Sequence, residues 1–141
     1  MNKFVIAFLM AAFFSPKVPA AECSKADADA AENTVDHLKT WSSVYDNYVR
    51  YQQCDEGSIS EGNSEAVIRL LVDHWNELPT FKALAKQNPA FEDWVLSHID
   101  ATLSVADLQK AIDIAKTQCP SPDAELCAKI SAAAFHASEE N

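Results

Sequence analysis

Glycine is nearly missing from this chain: Gly57 and Gly62 are the only two among 141 residues. A sheet protein turns through tight hairpins that call for glycine at positive φ, so this scarcity argues against one. Positive charge is scarce as well, with 11 Lys and Arg against 21 Asp and Glu and a formal net charge of −10 at pH 7. Nucleic acids and anionic lipid surfaces select for Lys and Arg, so neither is expected as a partner. The chain also lacks Cys-x-x-Cys, Gly-x-Ser-x-Gly, His-x-x-x-His and His-Glu-x-x-His. That removes the motif basis for thiol redox, serine hydrolase and zinc hydrolase chemistry. No apolar run reaches the about 20 residues that a membrane-spanning helix takes.

What is present begins with the N-terminus. Phe4 to Phe14 is an unbroken apolar run, preceded by Lys3 and followed by Val18 and Ala20 at the −3 and −1 positions of a small-residue cleavage site. This pattern predicts an export signal over residues 1–20 and a mature chain, residues 21–141, in the periplasm or outside the cell. Cleavage one residue later would place Pro19 at −3. Ala20-Ala21-Glu22-Cys23 approximates a lipobox, but Glu22 stands where a small residue is required. Loss of Lys3 and Lys17 with the leader leaves nine basic residues against 21 acidic ones, a formal charge of −12. Such a balance favours a basic protein partner or a cationic ligand; its plainer consequence is solubility.

An oxidising compartment makes structural disulfides the expected state of Cys23, Cys54, Cys119 and Cys127. Three pairings are possible, and Cys23–Cys54 with Cys119–Cys127 is preferred. The first ties the new N-terminus to the end of the second helix. The second braces the Cys119-Pro-Ser-Pro-Asp-Ala-Glu-Leu-Cys127 connection.

Apolar spacing supports helices throughout. The segments run near Ala26–Lys39, near Ser43–Gln53 with Ser42 or Ser43 as cap, and from a Ser64 cap through Glu65–Glu77. Pro79 is expected to end that third helix. A short fourth opens at Thr80, and Asn88-Pro89 restarts the chain for a fifth over about Pro89–Thr102. Ser104 and Asp107 form a capping-box-like pair before the sixth. Ser121-Pro122 opens the seventh. The fold class is therefore all-α: one disulfide-braced domain of six or seven short helices, an irregular bundle or a short stack of hairpins.

Candidate chemistry is thin. His74 and His98 fall on expected inner stripes and, with Asp73, Glu92 or Asp100, could make a metal site, although a lone inward His is more often a hydrogen-bonded core residue. Glu77 near Trp75 and Glu92 near Trp94 could serve as the paired carboxylates of a hydrolase. The aromatic stripe Trp41, Tyr45, Tyr48 and Tyr51 could line a groove, though at helical spacing it more often builds core. No cofactor is implied. The segment from Cys54 to Ser64 is the one long break in the helical pattern and holds both glycines. Its acids fail as an EF-hand, since Gly57 occupies the third ligand position. Asp55, Glu56, exposed Ile59, Glu61 and Glu65 instead suggest an electronegative patch for a basic site on another protein. The alternative is a solvated loop whose acids favour the next helix's N-terminus.

Between Tyr48 and Pro120 four elements carry a resemblance: Tyr51-Gln-Gln-Cys54-Asp-Glu-Gly57, Ser64-Glu-Ala-Val67-Ile-Arg69-Leu-Leu71, His98-Ile-Asp100-Ala-Thr102 and Lys116-Thr-Gln-Cys119-Pro120. In these the chain resembles a group of small exported all-α proteins of Gram-negative bacteria with no established activity. More loosely, in size, export, cysteine content and helical build, it is similar to periplasmic immunity proteins of type VI secretion effectors. The leading expectation is a non-enzymatic periplasmic binding module, an immunity or inhibitor protein with a basic partner such as a secreted effector. A cell-wall-directed hydrolase using carboxylates and a metal-binding protein using His74 and His98 are the alternatives.

Overall fold

Seven α-helices follow one another in the computed structural model, which describes residues 21–141. The expected export signal, with Lys3, the Phe4–Phe14 run, Val18 and Ala20, lies outside the described residues. The helices are α1 (Lys25–Val35), α2 (Trp41–Tyr51), α3 (Gly57–Asp73), α4 (Leu78–Gln87), α5 (Pro89–Ser97), α6 (Val105–Thr117) and α7 (Ala124–Glu139). Three short 3₁₀ turns join them, and no strand occurs among the described residues.

Local chemistry sets most of the starts. Ser24 Oγ accepts the Asp27 amide at 3.1 Å and opens α1. Thr40 and Ser43 exchange side-chain and backbone bonds in a capping box, so Thr40 caps α2 in place of the expected Ser42 or Ser43. Ser104 Oγ accepts the Asp107 amide before α6, as its spacing suggests. Pro79 does not end a helix. It lies in the first turn of α4, where a missing N–H costs nothing. α5 stops at Ser97, short of the expected Thr102, and an irregular turn carries His98 to Leu103.

The largest departure is α3. From Gly57 onward, the segment read as a glycine-broken loop is the first two turns of that helix. Gly57 supplies the entry, at φ +56 in the left-handed region. Gly62 marks a close approach, not a turn: a Cβ added there would lie 2.9 Å from Val35 Cβ, so α1 packs on α3 at glycine distance. Ser64, expected as a cap, is fully buried in mid-helix.

The core is one apolar cluster fed by α2 to α7, with a smaller one of Ala31, Cys54 and Ile59 beneath α1. Trp41 stacks on Phe81 with centroids 4.6 Å apart, and Phe81 meets Phe91 edge-on at 5.9 Å. Trp41 and Tyr48 are buried, and Tyr45 and Tyr51 half-buried, so most of the aromatic stripe is core. α6 and α7 form the most extensive helix pair. Both preferred disulfides are present, Cys23–Cys54 with Cα atoms 4.9 Å apart and Cys119–Cys127 at 6.1 Å. Among the described residues no helix is long and apolar enough to cross a membrane.

Candidate functional site

The Cys23–Cys54 bridge fixes the end of the 3₁₀ turn after α2, and Asp55 follows it directly. From there Asp55 faces inward. Its Oδ1 accepts Asn63 Nδ2 at 2.8 Å, and its Oδ2 accepts both Trp94 Nε1 and His98 Nε2 at 2.8 Å. Asn47 Nδ2 donates to Asn63 Oδ1 at 3.0 Å, extending the chain of bonds to α2. On the other side of the imidazole, His98 Nδ1 lies 2.8 Å from Ser64 Oγ, and Ser64 Oγ lies 2.7 Å from Asp100 Oδ2. Asp100 Oδ1 in turn accepts the Thr102 amide at 2.9 Å. The network joins α2, α3, α5 and the α5–α6 turn.

These groups are dry: Asn47, Asn63 and His98 are 2–3% exposed and Ser64 is 0% exposed. Burial pushes the Asp55 carboxyl up. Hydrogen bonds from His98, Asn63 and Trp94, with the positive charge of His98, outweigh it and hold Asp55 below the usual carboxylate range. The Trp94 ring sits 4.3 Å from the imidazole, centroid to centroid.

Serine, histidine and aspartate in series have the composition of a hydrolytic triad, but the geometry differs. Here Nδ1 faces the serine and Nε2 the carboxylate, the reverse of the triad arrangement. Ser64 Oγ is also engaged by Asp100 and closed to solvent, so no substrate reaches it in this conformation.

The five residues expected to form an electronegative patch divide. Asp55 points into the network, and Ile59 is 7% exposed, packed with Ala31 and Cys54 beneath α1; neither belongs to the surface patch. Ile59 turns inward because its segment is helical and α1 covers that face. Glu56, Glu61 and Glu65 are exposed. They acquire a neighbour that sequence did not offer: Glu32 of α1 accepts Ser58 Oγ at 2.9 Å, which draws α1 carboxylates to those of α3. Asp36 and Glu65 then line a cavity of about 220 Å³ between the two helices, with Lys39, Arg69 and His74. Arg69 is held by Glu65 at 3.1 Å, Asp73 at 3.0 Å and Asp107 at 2.5 Å. The Arg69 hydrogen bond, aided by Ser104, keeps the Asp107 carboxyl below its usual range against some burial.

The histidines part company. His98 has both ring nitrogens occupied, whereas His74 follows the last residue of α3 and is exposed, not on its inner face. Of the carboxylates suggested beside them, Asp100 reaches His98 through Ser64, whereas Glu92 pairs with Lys129 at 2.8 Å and Asp73 with Arg69. Among the described residues no three His, Cys, Asp or Glu side chains are grouped to hold a metal ion. Trp75, two residues before Glu77, donates its Nε1 to Gln118 O at 2.9 Å.

Sequence reasoning missed Asn47, Asn63 and Ser64 as network members, although a signal existed. Asn63 and Ser64 stand one helical turn before Val67 and Ile68, so the inward stripe extends back through them once the segment is read as helix. Comparison with protein-family models, curated proteins and solved structures finds no match.

Proposed function

We propose that this chain is a non-enzymatic periplasmic binding protein, an immunity or inhibitor protein that meets a basic partner through the acidic seam of α1 and α3. The observation that carries the reading is the Ser58–Glu32 bond, which brings Glu32 alongside the exposed Glu56 and Glu61 on neighbouring helices. Glu32, Asp36, Glu56 and Glu61 form no salt bridge among the described residues, so their charge is free for a partner. A concentrated field of one sign speeds encounter with an oppositely charged surface and rejects like-charged ones. Two disulfides support an exported protein, and among the described residues no helix is long and apolar enough to cross a membrane.

The test is capture from the native compartment with the tagged full chain, beside a variant carrying Glu32→Lys and Glu61→Lys. The reading expects a basic protein retained by the first and lost from the second, with retention falling as salt is raised. Equal capture by both would refute the seam as the binding surface.

A further inference from the structure

His98 is bonded at both ring nitrogens inside the fold, and the proton count of its neighbours decides its state. Ser64 has one hydroxyl proton, yet its Oγ lies within hydrogen-bond reach of both His98 Nδ1 and Asp100 Oδ2. His98 Nε2 meets Asp55 Oδ2, and an ionised carboxylate only accepts. A neutral imidazole, one hydroxyl and two carboxylates supply two protons for these three contacts. One contact would then set lone pair against lone pair at under 3 Å. A third proton closes all three: Nε2–H to Asp55, Nδ1–H to Ser64, and Oγ–H to Asp100. Free imidazole is the stronger base, protonating near pH 6.5 against about 3.9 for an aspartate, so the third proton goes to the ring.

We infer that Asp55, His98, Ser64 and Asp100 form a one-proton latch, in which a buried imidazolium between two carboxylates ties α3 to the turn after α5. Without that proton one of the three contacts has no hydrogen to share and the joint is loosened. Asp55, from the turn before α3, and Asp100, from the turn after α5, are the titratable groups facing the ring. α5 contributes the neutral Trp94 ring, and α2 contributes neutral Tyr48 beside Trp94 and neutral Asn47 by way of Asn63. Among the described residues no lysine or arginine pairs with either carboxylate. The latch stands apart from the proposed function and holds whether or not the seam binds a partner.

Two-bond ¹H–¹⁵N correlation spectroscopy of the full chain at pH 7.5 reads each ring nitrogen directly. A solvated imidazole is about nine-tenths neutral at that pH. The latch requires both His98 nitrogens to be protonated there; a single protonated nitrogen overturns it. Asp100→Asn offers an N–H to Ser64 Oγ while keeping the acceptor for Thr102, so the hydroxyl can donate to Nδ1 and the extra proton becomes unnecessary. His98 in that variant is expected to hold one proton, on Nε2. Ser64→Ala removes the same bridge without adding volume and is expected to give the same result. Variants that keep the doubly protonated ring refute the role of the Ser64–Asp100 arm.

Discussion

Asp55→Ala is the most informative single change, because it removes one acceptor from three donors at once. His98 Nε2, Trp94 Nε1 and Asn63 Nδ2 would each lose a 2.8 Å bond. His98 and Asn63 are 3% and 2% exposed, so water cannot replace the lost partner without opening the fold. An unsatisfied buried donor costs about 1–3 kcal/mol, and breaking a buried charged pair costs about 3–5 kcal/mol. These costs share one site and do not add, so the expected loss is about 3–5 kcal/mol. That is a large part of the roughly 6–18 kcal/mol expected of a domain of about 120 residues. Asp55→Asn should cost less, about 1–2 kcal/mol. Its amide oxygen can still face His98 and Trp94, and its amide nitrogen can be met if Asn63 and Asn47 each turn their amides over. Such a turn is open to Asn47, whose Oδ1 is buried without a partner. Urea unfolding followed by circular dichroism, disulfides intact, measures both variants. Losses of under about 1 kcal/mol for alanine, or equal losses for the two variants, would refute the reasoning. The same carboxyl sets an acid limit. Asp55 titrates below its ordinary range in the folded state, so its contribution is complete above the unfolded value near 3.9. It is lost as pH falls through the lower folded value. Asp55→Asn should lessen the loss of stability as pH falls below about 5, leaving the dependence that Asp107, also depressed, supplies.

Replacing Cys23 and Cys54 together by serine opens a loop with a sequence separation of 31, against 8 for Cys119 and Cys127. Loop-closure entropy gives losses of about 3.7 and about 2.5 kcal/mol, and the reverse ranking in denaturant melts would contradict the entropic account. Gly62→Ala should lower stability by about 1 kcal/mol despite a gain of similar size in helix propensity, since the new Cβ meets Val35 Cβ at 2.9 Å and that atom cannot rotate away. A more stable variant would show that α1 yields freely.

Helix-period patterning carried the fold class, because the apolar residues of α2, α4, α5, α6 and α7 recur at three- and four-residue steps with few polar intrusions. Local rules also fixed the α6 cap and the α5 restart at Pro89. Three disulfide pairings were open to the sequence, and the preferred one, Cys23–Cys54 with Cys119–Cys127, is the one present. The Cys54–Ser64 segment was misread for a physical reason: glycine and serine signal a break locally, whereas tertiary contact gives Gly62 a packing role and Ser64 a buried bond. The same misreading put Ile59 outside and Asp55 on the surface. The pairing of α1 with α3, and with it Glu32's place beside Ser58, depends on contacts 26 residues apart that no local pattern records. His98 was recognised as an inward histidine, but its partners Ser64 and Asp55 lie 34 and 43 residues away in sequence.

Hydrogen exchange on the complex with the captured basic partner tests the binding surface most directly. The account predicts new protection over residues 29–35 of α1 and 57–65 of α3, with α6 and α7 unchanged. Protection centred instead on the α7 face around Phe135, which is 53% exposed beside a cavity of about 540 Å³, would contradict it.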